Sequence, residues 1–159
     1  MAVPKKYRQI VRTGTVAAGG IGVPGAFSFG ADIAAMSTTW IAMILSIADK
    51  SGHRMNNVYA SKLCASVLSG VGAYVGGSKI AMKLLHLIPA AGTLAAIGVN
   101  SLLNALFTYK MGHALSRLFD KGDFDEGDIA DMAATLLTLV ACFPTAGEIA
   151  DFTSLMTDW

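Results

Sequence analysis

One segment of the chain, from Leu84 to Tyr109, runs for 26 residues without a formally charged side chain: LLHLIPAAGTLAAIGVNSLLNALFTY. A membrane-spanning helix needs about 20 apolar residues, so this segment is long enough to cross a bilayer. A core helix of a soluble bundle satisfies the same pattern. The segment therefore restricts the chain to an unusually apolar helical bundle or a membrane-active protein.

The composition supports a helical fold of one domain. Of the 159 residues, 53% are hydrophobic and 14% are charged, against a usual charged fraction of about 25%, and the mean hydropathy is +0.54. Apolar residues recur with a period near 3.6 and no strand-like alternation stands out. We predict an all-α, compact bundle of about five to seven helices with tightly packed Gly/Ala-rich hairpins and no sheet. The predicted domain covers residues 1–159, with a basic N-terminal helix (1–17), a helical core (22–119), and an acidic loop with C-terminal helices (120–159).

Local signals place several helix ends. Gly52 predicts the C-terminal stop of a helix that ends near Lys50, and Asp128 is a good N-cap. Pro89 is expected to open the long helix, because the first turn of a helix needs no N–H from proline. The predicted helices cover roughly residues 4–17, a segment up to 50, 57–74, 78–87, 89–119, 128–143 and 145–156.

The long helix carries a polar stripe formed by Asn100, Asn104 and Thr108, which are spaced four residues apart. Asparagine side chains that face lipid are costly, so this stripe should meet protein or water. If the chain forms a pore, the stripe would line a polar path.

A second face of the same helix carries only small residues. Small side chains at a spacing of seven allow two helix backbones to approach closely, in membranes and in tight soluble bundles. We predict a helix-packing seam at this face, and a GxxxG motif in the preceding helix adds to it. The residues of the seam are Ala91, Gly98, Ala105 and Gly112, and those of the motif are Gly72 and Gly76.

The net charge of +1 conceals a strong asymmetry. Residues 1–119 contain eleven Lys/Arg and two acids, a balance of +9, whereas residues 120–159 contain nine acids and one Lys, a balance of −8. Such a chain can attract anionic lipid at one end, pack head to tail with its own copies, or fold its two ends against each other. For the first alternative, the residues expected to contact lipid headgroups are Lys5, Lys6, Arg8 and Arg12.

The chain carries only incomplete matches to the motifs of common active sites and binding sites. The order Ser78-Lys79 transposes the last two residues of a phosphate-binding loop, and the acidic loop from Asp123 has Ala134 where a calcium-binding loop needs glutamate. The three histidines are isolated, and the Glu148/Asp151 pair is explained by a capped helix start. We predict no enzyme, no metal, no cofactor and no nucleic-acid partner.

Cysteine usage and the N-terminus bear on the compartment. Cys64 and Cys142 each lie in an apolar run without a partner motif, which indicates buried free thiols in a reducing compartment. The basic N-terminus is not followed by an apolar signal-peptide core. We expect a location in the bacterial cytoplasm, or at the cytoplasmic face of or inside the inner membrane, without a signal peptide.

Two further motifs resemble an uncharacterised bacterial helical family found fused to, or encoded beside, small GTPases. PGAFSFGADIAAMSTTWIAMILSIADKSG contains the family's Asp32-Ile33 pair and its Gly52 stop, and Ile88-Pro89-x-x-Gly92 is followed by Thr108 and Gly112. The resemblance covers about residues 22–119 and includes the YcjF-type inner-membrane proteins, with EcsC-like proteins as neighbours. The resemblance implies a helical fold, membrane association and a GTPase partner, but no catalytic residues. The chain departs from the family at Ser51, where many relatives have a Tyr before the glycine.

The leading interpretation is a non-enzymatic, membrane-associating helical module that self-assembles through its small-residue seam. Its expected partners are further copies of itself, an anionic membrane and a GTPase. A soluble helical adaptor or shell subunit is the first alternative, and a pore-forming effector is the second.

Overall fold

A computed structural model describes residues 1–20, 33–76 and 99–157. In these ranges the chain is all-α, as predicted, with neither strand nor sheet. A 3-10 turn at Lys5–Tyr7 precedes the first α-helix. The six α-helices of the described ranges are α1 (Arg8–Gly19), α2 (Ile33–Lys50), α3 (Asn57–Gly76), α4 (Val99–Lys121), α5 (Ile129–Ala141) and α6 (Ala146–Thr157).

Glycine ends two of the helices in the same way. Gly52 and Gly122 have φ angles of 82° and 76°, a conformation that glycine adopts without strain. After α2, the N–H of His53 donates to the carbonyl of Ala48 at 2.9 Å. After α4, Asp123 makes the equivalent bond to Leu118 at 2.9 Å, so both helices end in a Schellman motif. The predicted stop at Gly52 is confirmed.

Side chains cap the two C-terminal helices. Asp128 accepts hydrogen bonds from the N–H groups of Ala130 and Asp131 at the start of α5, which confirms the predicted N-cap. Thr145 and Glu148 form a capping box before α6: the Thr145 N–H donates to Glu148 at 2.7 Å, and the Glu148 N–H donates to the Thr145 hydroxyl at 3.2 Å. The predicted fourth helix (78–87) and Pro89 lie outside the described residues.

Helix α4 lies at the centre of the fold. Every residue from Ser101 to Ser116 is buried, and α4 contacts α1, α2 and α5. Helix α3 packs against α2 and α5. Because a helix enclosed on all sides cannot turn its polar side chains to water, those side chains need partners inside the protein.

The described half of the small-residue seam packs against α1. A Cβ atom added at Gly19 would lie 3.5 Å from the Cβ of Ala105, and one added at Gly112 would lie 2.9 Å from both methyl groups of Val11. The missing side chains therefore allow α1 and α4 to approach closely. The other seam residues, Ala91 and Gly98, lie outside the described residues; Gly72 and Gly76 lie in the last two turns of α3.

The polar stripe of α4 faces protein at the two residues whose side chains are described. Asn104 and Thr108 are 1% and 0% exposed, and the indole N–H of Trp40 donates to the Thr108 hydroxyl at 2.7 Å. Trp40 comes from α2, so this bond ties α2 to α4. The side chain of Asn100 lies outside the described residues.

The acidic loop between α4 and α5 is tied to the end of α2. His53 lies 2.9 Å from Glu126, and the rings of Phe119 and Phe124 stack with their centroids 4.2 Å apart. Asp125 accepts a hydrogen bond from the Gly127 N–H at 2.7 Å. Glu126 and Asp125 thus act in ion pairing and turn formation within the fold.

Within the described ranges, no single helix has both the length and the hydropathy to cross a bilayer. Helices α5 and α6 together satisfy both criteria, but the chain bends by 86° between them. The segment Leu84–Tyr109 lies partly outside the described residues, so its insertion into a membrane stays a prediction.

Replacing Gly112 by alanine should test the close approach of α1 to α4. The new methyl group would lie 2.9 Å from Val11 and 3.0 Å from the Met43 sulfur, and β-branched Val11 has little freedom to retreat. We expect the free energy of unfolding, measured in urea, to fall by about 1–2 kcal/mol despite the gain in helix propensity.

Gly19→Ala is the matched control at the same interface. Its methyl group would make an ordinary 3.5 Å contact with Ala105, so the free energy of unfolding should change by no more than about 0.5 kcal/mol. Equal stability of the two variants would contradict the close packing at Gly112.

Candidate functional site

The N-terminal segment and α6 meet at one buried carboxylate. Asp151, which is 7% exposed, accepts hydrogen bonds from the Val3 N–H at 2.9 Å, the Arg8 guanidinium at 2.5 Å and the Tyr109 hydroxyl at 3.0 Å. The second guanidinium nitrogen of Arg8 donates to Ser154 at 2.9 Å. We call Asp151, Val3, Arg8 and Tyr109 the Asp151 cluster. It joins the N-terminal segment and α1 to α4 and α6.

The environment of Asp151 favours its charged form. Burial alone would raise the pKa of the carboxyl, but the hydrogen bonds from Arg8, Val3 and Tyr109 outweigh burial and lower the pKa below its ordinary value. Burial and the neighbouring Asp151 carboxylate raise the pKa of Tyr109, which keeps its hydroxyl a donor. The sequence interpretation, in which a helix cap explains both acids, is confirmed for Glu148 and wrong for Asp151.

Lys6 and Arg8, which were predicted to contact headgroups, form ion pairs within the described part of the chain. Arg8 pairs with Asp151, and Lys6 pairs with Asp120 at 3.0 Å. Both contacts join the basic N-terminal part to the acidic C-terminal part, as in the alternative in which the two ends fold together. Lys5 is exposed and Arg12 is half-buried, and headgroup contact by any of the four stays a prediction.

Large apolar side chains are exposed where α5 turns into α6. Leu139, near the end of α5, is 42% exposed, and Phe143, in the turn between α5 and α6, is 47% exposed. We call the turn around Leu139, Cys142 and Phe143 the α5–α6 corner. Exposed large hydrophobic residues are typical of interaction surfaces when they form one patch, so this corner is a candidate surface.

Cys142 lies at this corner and corrects one prediction. Its side chain is exposed, whereas Cys64 is buried. The prediction of two buried thiols was wrong for Cys142 because α5 ends at Ala141, so Cys142 stands after the last helical residue instead of on the buried helix face. The backbone carbonyl of Cys142 accepts a hydrogen bond from the ammonium of Lys110.

Lys110 is itself an unusual residue for its position, since it is 2% exposed on the central helix. A buried ammonium needs a partner, and the carbonyl at the end of α5 provides it. Its nitrogen also lies 3.5 Å from the Cys142 sulfur. No sequence pattern indicated that Lys110 and Cys142 are in contact, because they lie 32 positions apart in the chain.

A cavity of about 470 Å³ separates the C-terminal half of α4 from the α5–α6 corner. Its α4 wall carries His113, Arg117 and Lys121, which follow one another at a spacing of four residues and thus share one face of the helix. Its other walls include Leu139 and Cys142. This is a concave site with cationic and apolar walls, and sequence reasoning missed it; the spacing of the three basic residues was its only signal.

His113 lines this cavity and is 7% exposed. Its Nε2–H donates to the Met1 carbonyl at 2.9 Å, and Nδ1 lies 3.5 Å from Glu148. Burial lowers the pKa of His113 despite the opposing effect of Glu148, so the ring is neutral at pH 7. The geometry gives this histidine a role in fixing the N-terminal segment, and the non-enzymatic interpretation stays a prediction.

The region from before α2 to the last residue of α5, residues 28–141, matches the model of a family described as a domain of unknown function, DUF697. The match covers well over half of the 159 residues. The chain belongs to the DUF697 family. Comparison with curated proteins gave no match, and comparison with solved structures gave none.

The family match includes the α4 and α5 walls of the cavity but not the whole Asp151 cluster. Arg117, Lys121 and Leu139 lie within the DUF697 region, whereas Arg8 and Asp151 lie outside it. The cavity walls formed by α4 and α5 therefore belong to the DUF697 domain. The Asp151 cluster instead attaches the two flanking segments to that domain.

Asp151→Asn should destabilise this DUF697 protein by removing the charge that Arg8 and Val3 contact. We expect a loss of about 2–3 kcal/mol in the free energy of unfolding at pH 7. Because the pKa of Asp151 is lowered in the folded state, its contribution is present above the unfolded value of about 3.9 and is lost as the pH falls through the folded value. The difference between the two proteins should therefore shrink below about pH 4.

Urea unfolding at several pH values measures this difference, with Asp49→Asn as the control at an exposed acid. The control should leave the free energy of unfolding within about 0.5 kcal/mol of wild type. A destabilisation by Asp151→Asn that is equally large at all pH values would argue against the charged cluster.

Proposed function

We propose that this DUF697 protein is a non-enzymatic, membrane-associating helical module whose α5–α6 corner enters the lipid. The observation that carries the proposal is the exposure of Leu139 and Phe143 at the bend of an otherwise apolar helix pair. Helix pairs of this composition gain free energy when their exposed apolar side chains leave water.

The shape of the pair supports shallow insertion. Helices α5 and α6 have 13 and 12 residues, and each alone is shorter than the roughly 20 residues that a spanning helix needs. With a bend of 86° between them, the corner can enter the interface between headgroups and acyl chains while both helices keep their contacts with the fold. Phe143 and Leu139 would then lie at the depth where interfacial helices place their apolar residues.

Basic residues lie in the N-terminal turn and at the end of α4. The ion pair between Lys6 and Asp120 brings the N-terminal turn beside the end of α4, and Lys121 lines the same cavity as Leu139. Lys5 is exposed in that turn. Near an anionic surface, each such cation contributes about 1 kcal/mol, so electrostatic attraction and apolar insertion would act at the same face.

Self-assembly and a GTPase partner are further parts of the proposal. Since Ala105 and Gly112 pack against α1, a homo-oligomer would form through surfaces other than these two seam residues. The resemblance to GTPase-associated relatives supports a GTPase partner, which would act on or beside the membrane-bound module.

Flotation with vesicles tests the membrane proposal. We expect the protein to float with vesicles that contain phosphatidylglycerol. Leu139→Ser combined with Phe143→Ser should reduce the bound fraction at least tenfold, because each large apolar side chain contributes about 1.5–3 kcal/mol when it moves from water into lipid. Salt at about 500 mM, where the Debye length is roughly 4 Å, should weaken binding without abolishing it.

Val58→Ser is the matched control, because Val58 is 64% exposed on α3, away from the corner. It should float like the wild type. If the wild-type protein stays out of the vesicle fraction at low and high salt, the membrane proposal is wrong and the soluble adaptor is favoured.

A further inference from the structure

We propose that the cavity between α4 and the α5–α6 corner binds one anionic phospholipid, with Arg117 and Lys121 on its phosphate and Leu139 beside its acyl chain. This inference deepens the proposed function and rests on it, since it assigns a headgroup site to the face that meets the membrane. None of the four N-terminal residues predicted to contact headgroups takes part in this site.

The cations of the α4 wall lack partners among the described residues. Lys6 and Arg8 are held in ion pairs, but the side chains of Arg117 and Lys121 form neither an ion pair nor a hydrogen bond within residues 1–20, 33–76 and 99–157. The two side chains lie one helical turn apart and line the same cavity. Guanidinium and ammonium groups both bind phosphate oxygens, so two cations of one cavity can contact the same anion.

The acids near the cavity limit the charge of its ligand. Glu148 is engaged in the capping box and lies beside His113, and these contacts, with Lys110, hold its pKa below the ordinary value although burial acts in the opposite direction. Asp123 lines the cavity just after the end of α4. Two cations beside two carboxylates suit a phosphodiester with a single negative charge and disfavour a polyphosphate, which would repel both acids.

The apolar walls select a lipid over a soluble phosphate. Leu118 and Leu139 line the cavity together with the cations, and Leu139 is itself 42% exposed at the corner. A phosphate held at Arg117 would therefore lie in the same cavity as an apolar side chain of the surface that enters the membrane. The volume of about 470 Å³ lies in the range usual for small-ligand sites, about 300–1,000 Å³, and accommodates a headgroup with the first part of a chain.

The two cysteines provide a direct measurement of occupancy. Cys142 is exposed and lines the cavity, so a bound lipid should shield it from alkylation by iodoacetamide. Cys64 is the internal reference, because burial removes it from solvent and raises its pKa to about 11. The probe is a short-chain phosphatidylglycerol below its micelle concentration, and mass spectrometry reads the alkylation rate of each cysteine.

We expect the short-chain lipid to slow alkylation of Cys142 at least tenfold at saturation, with Cys64 unreactive throughout. Arg117→Gln and Lys121→Gln should each raise the lipid concentration that gives half-maximal protection about fivefold, and the double variant should raise it about 30-fold. These factors correspond to about 1 kcal/mol per cation. Lys50→Gln and Arg54→Gln are the matched controls: Lys50 is the last residue of α2 as Lys121 is of α4, and both control residues are exposed.

Comparing different ligands distinguishes a lipid headgroup from a soluble phosphate. Inorganic phosphate and glycerol phosphate should protect Cys142 at least tenfold less well than the lipid, and so should short-chain phosphatidylcholine, which carries no net charge. Equal protection by a soluble phosphate or by phosphatidylcholine would overturn the proposal, as would protection that the double variant leaves unchanged.

Because the probe is a monomeric lipid, the outcome separates this site from the membrane proposal. If the protein floats with vesicles but the short-chain lipid leaves Cys142 unprotected from alkylation, the cavity site is overturned and the corner remains as the membrane contact. Protection of Cys142 without flotation would support the cavity site and overturn membrane association.

Discussion

The burial of α4 on all sides is the constraint on which the rest of the structure depends. Sixteen consecutive residues, Ser101 to Ser116, are shielded from water, and they include polar side chains that need partners inside the protein. Thr108 accepts from Trp40 of α2, Tyr109 donates to Asp151 of α6, and Lys110 donates to the end of α5. The polar groups of one helix thereby fix the positions of three others.

The same contacts determine how the charge asymmetry of the chain is used. Arg8 and Lys6 of the basic part pair with Asp151 and Asp120 of the acidic part, so two charges from each part are paired within the fold. Arg117 and Lys121 form no such pair among the described residues, and they line the same cavity as the exposed Leu139. Unpaired cations and exposed hydrophobic residues therefore share one face, which is the basis of the proposed membrane contact.

Features that depend on neighbouring residues could be predicted from the sequence. The stop at Gly52 and the cap at Asp128 follow from local backbone chemistry. Ala105 and Gly112, which share the seven-residue spacing, lie where α4 packs against α1. The identity of the packing partner, α1, was not encoded in that spacing. The Asp151 cluster was missed because its hydrogen bonds join residues far apart in the chain: Val3 and Arg8 lie more than 140 positions from Asp151, and Tyr109 lies 42 positions from it. No single-sequence pattern reports such a pairing. The exposure of Cys142 depended on the exact end of α5, which sequence reasoning placed two residues too late.

Depth measurement at the α5–α6 corner tests the central claim most directly. A fluorophore sensitive to polarity would be attached at Phe143→Cys in a Cys142→Ser background, where the remaining Cys64 is buried, and compared with the same label at Val58→Cys. With anionic vesicles, the account predicts a blue shift and quenching by lipids that carry a quencher on the acyl chain for the label at position 143, and an unchanged aqueous spectrum for the label at position 58. A corner label that keeps its aqueous spectrum while the protein is bound to vesicles would contradict the account.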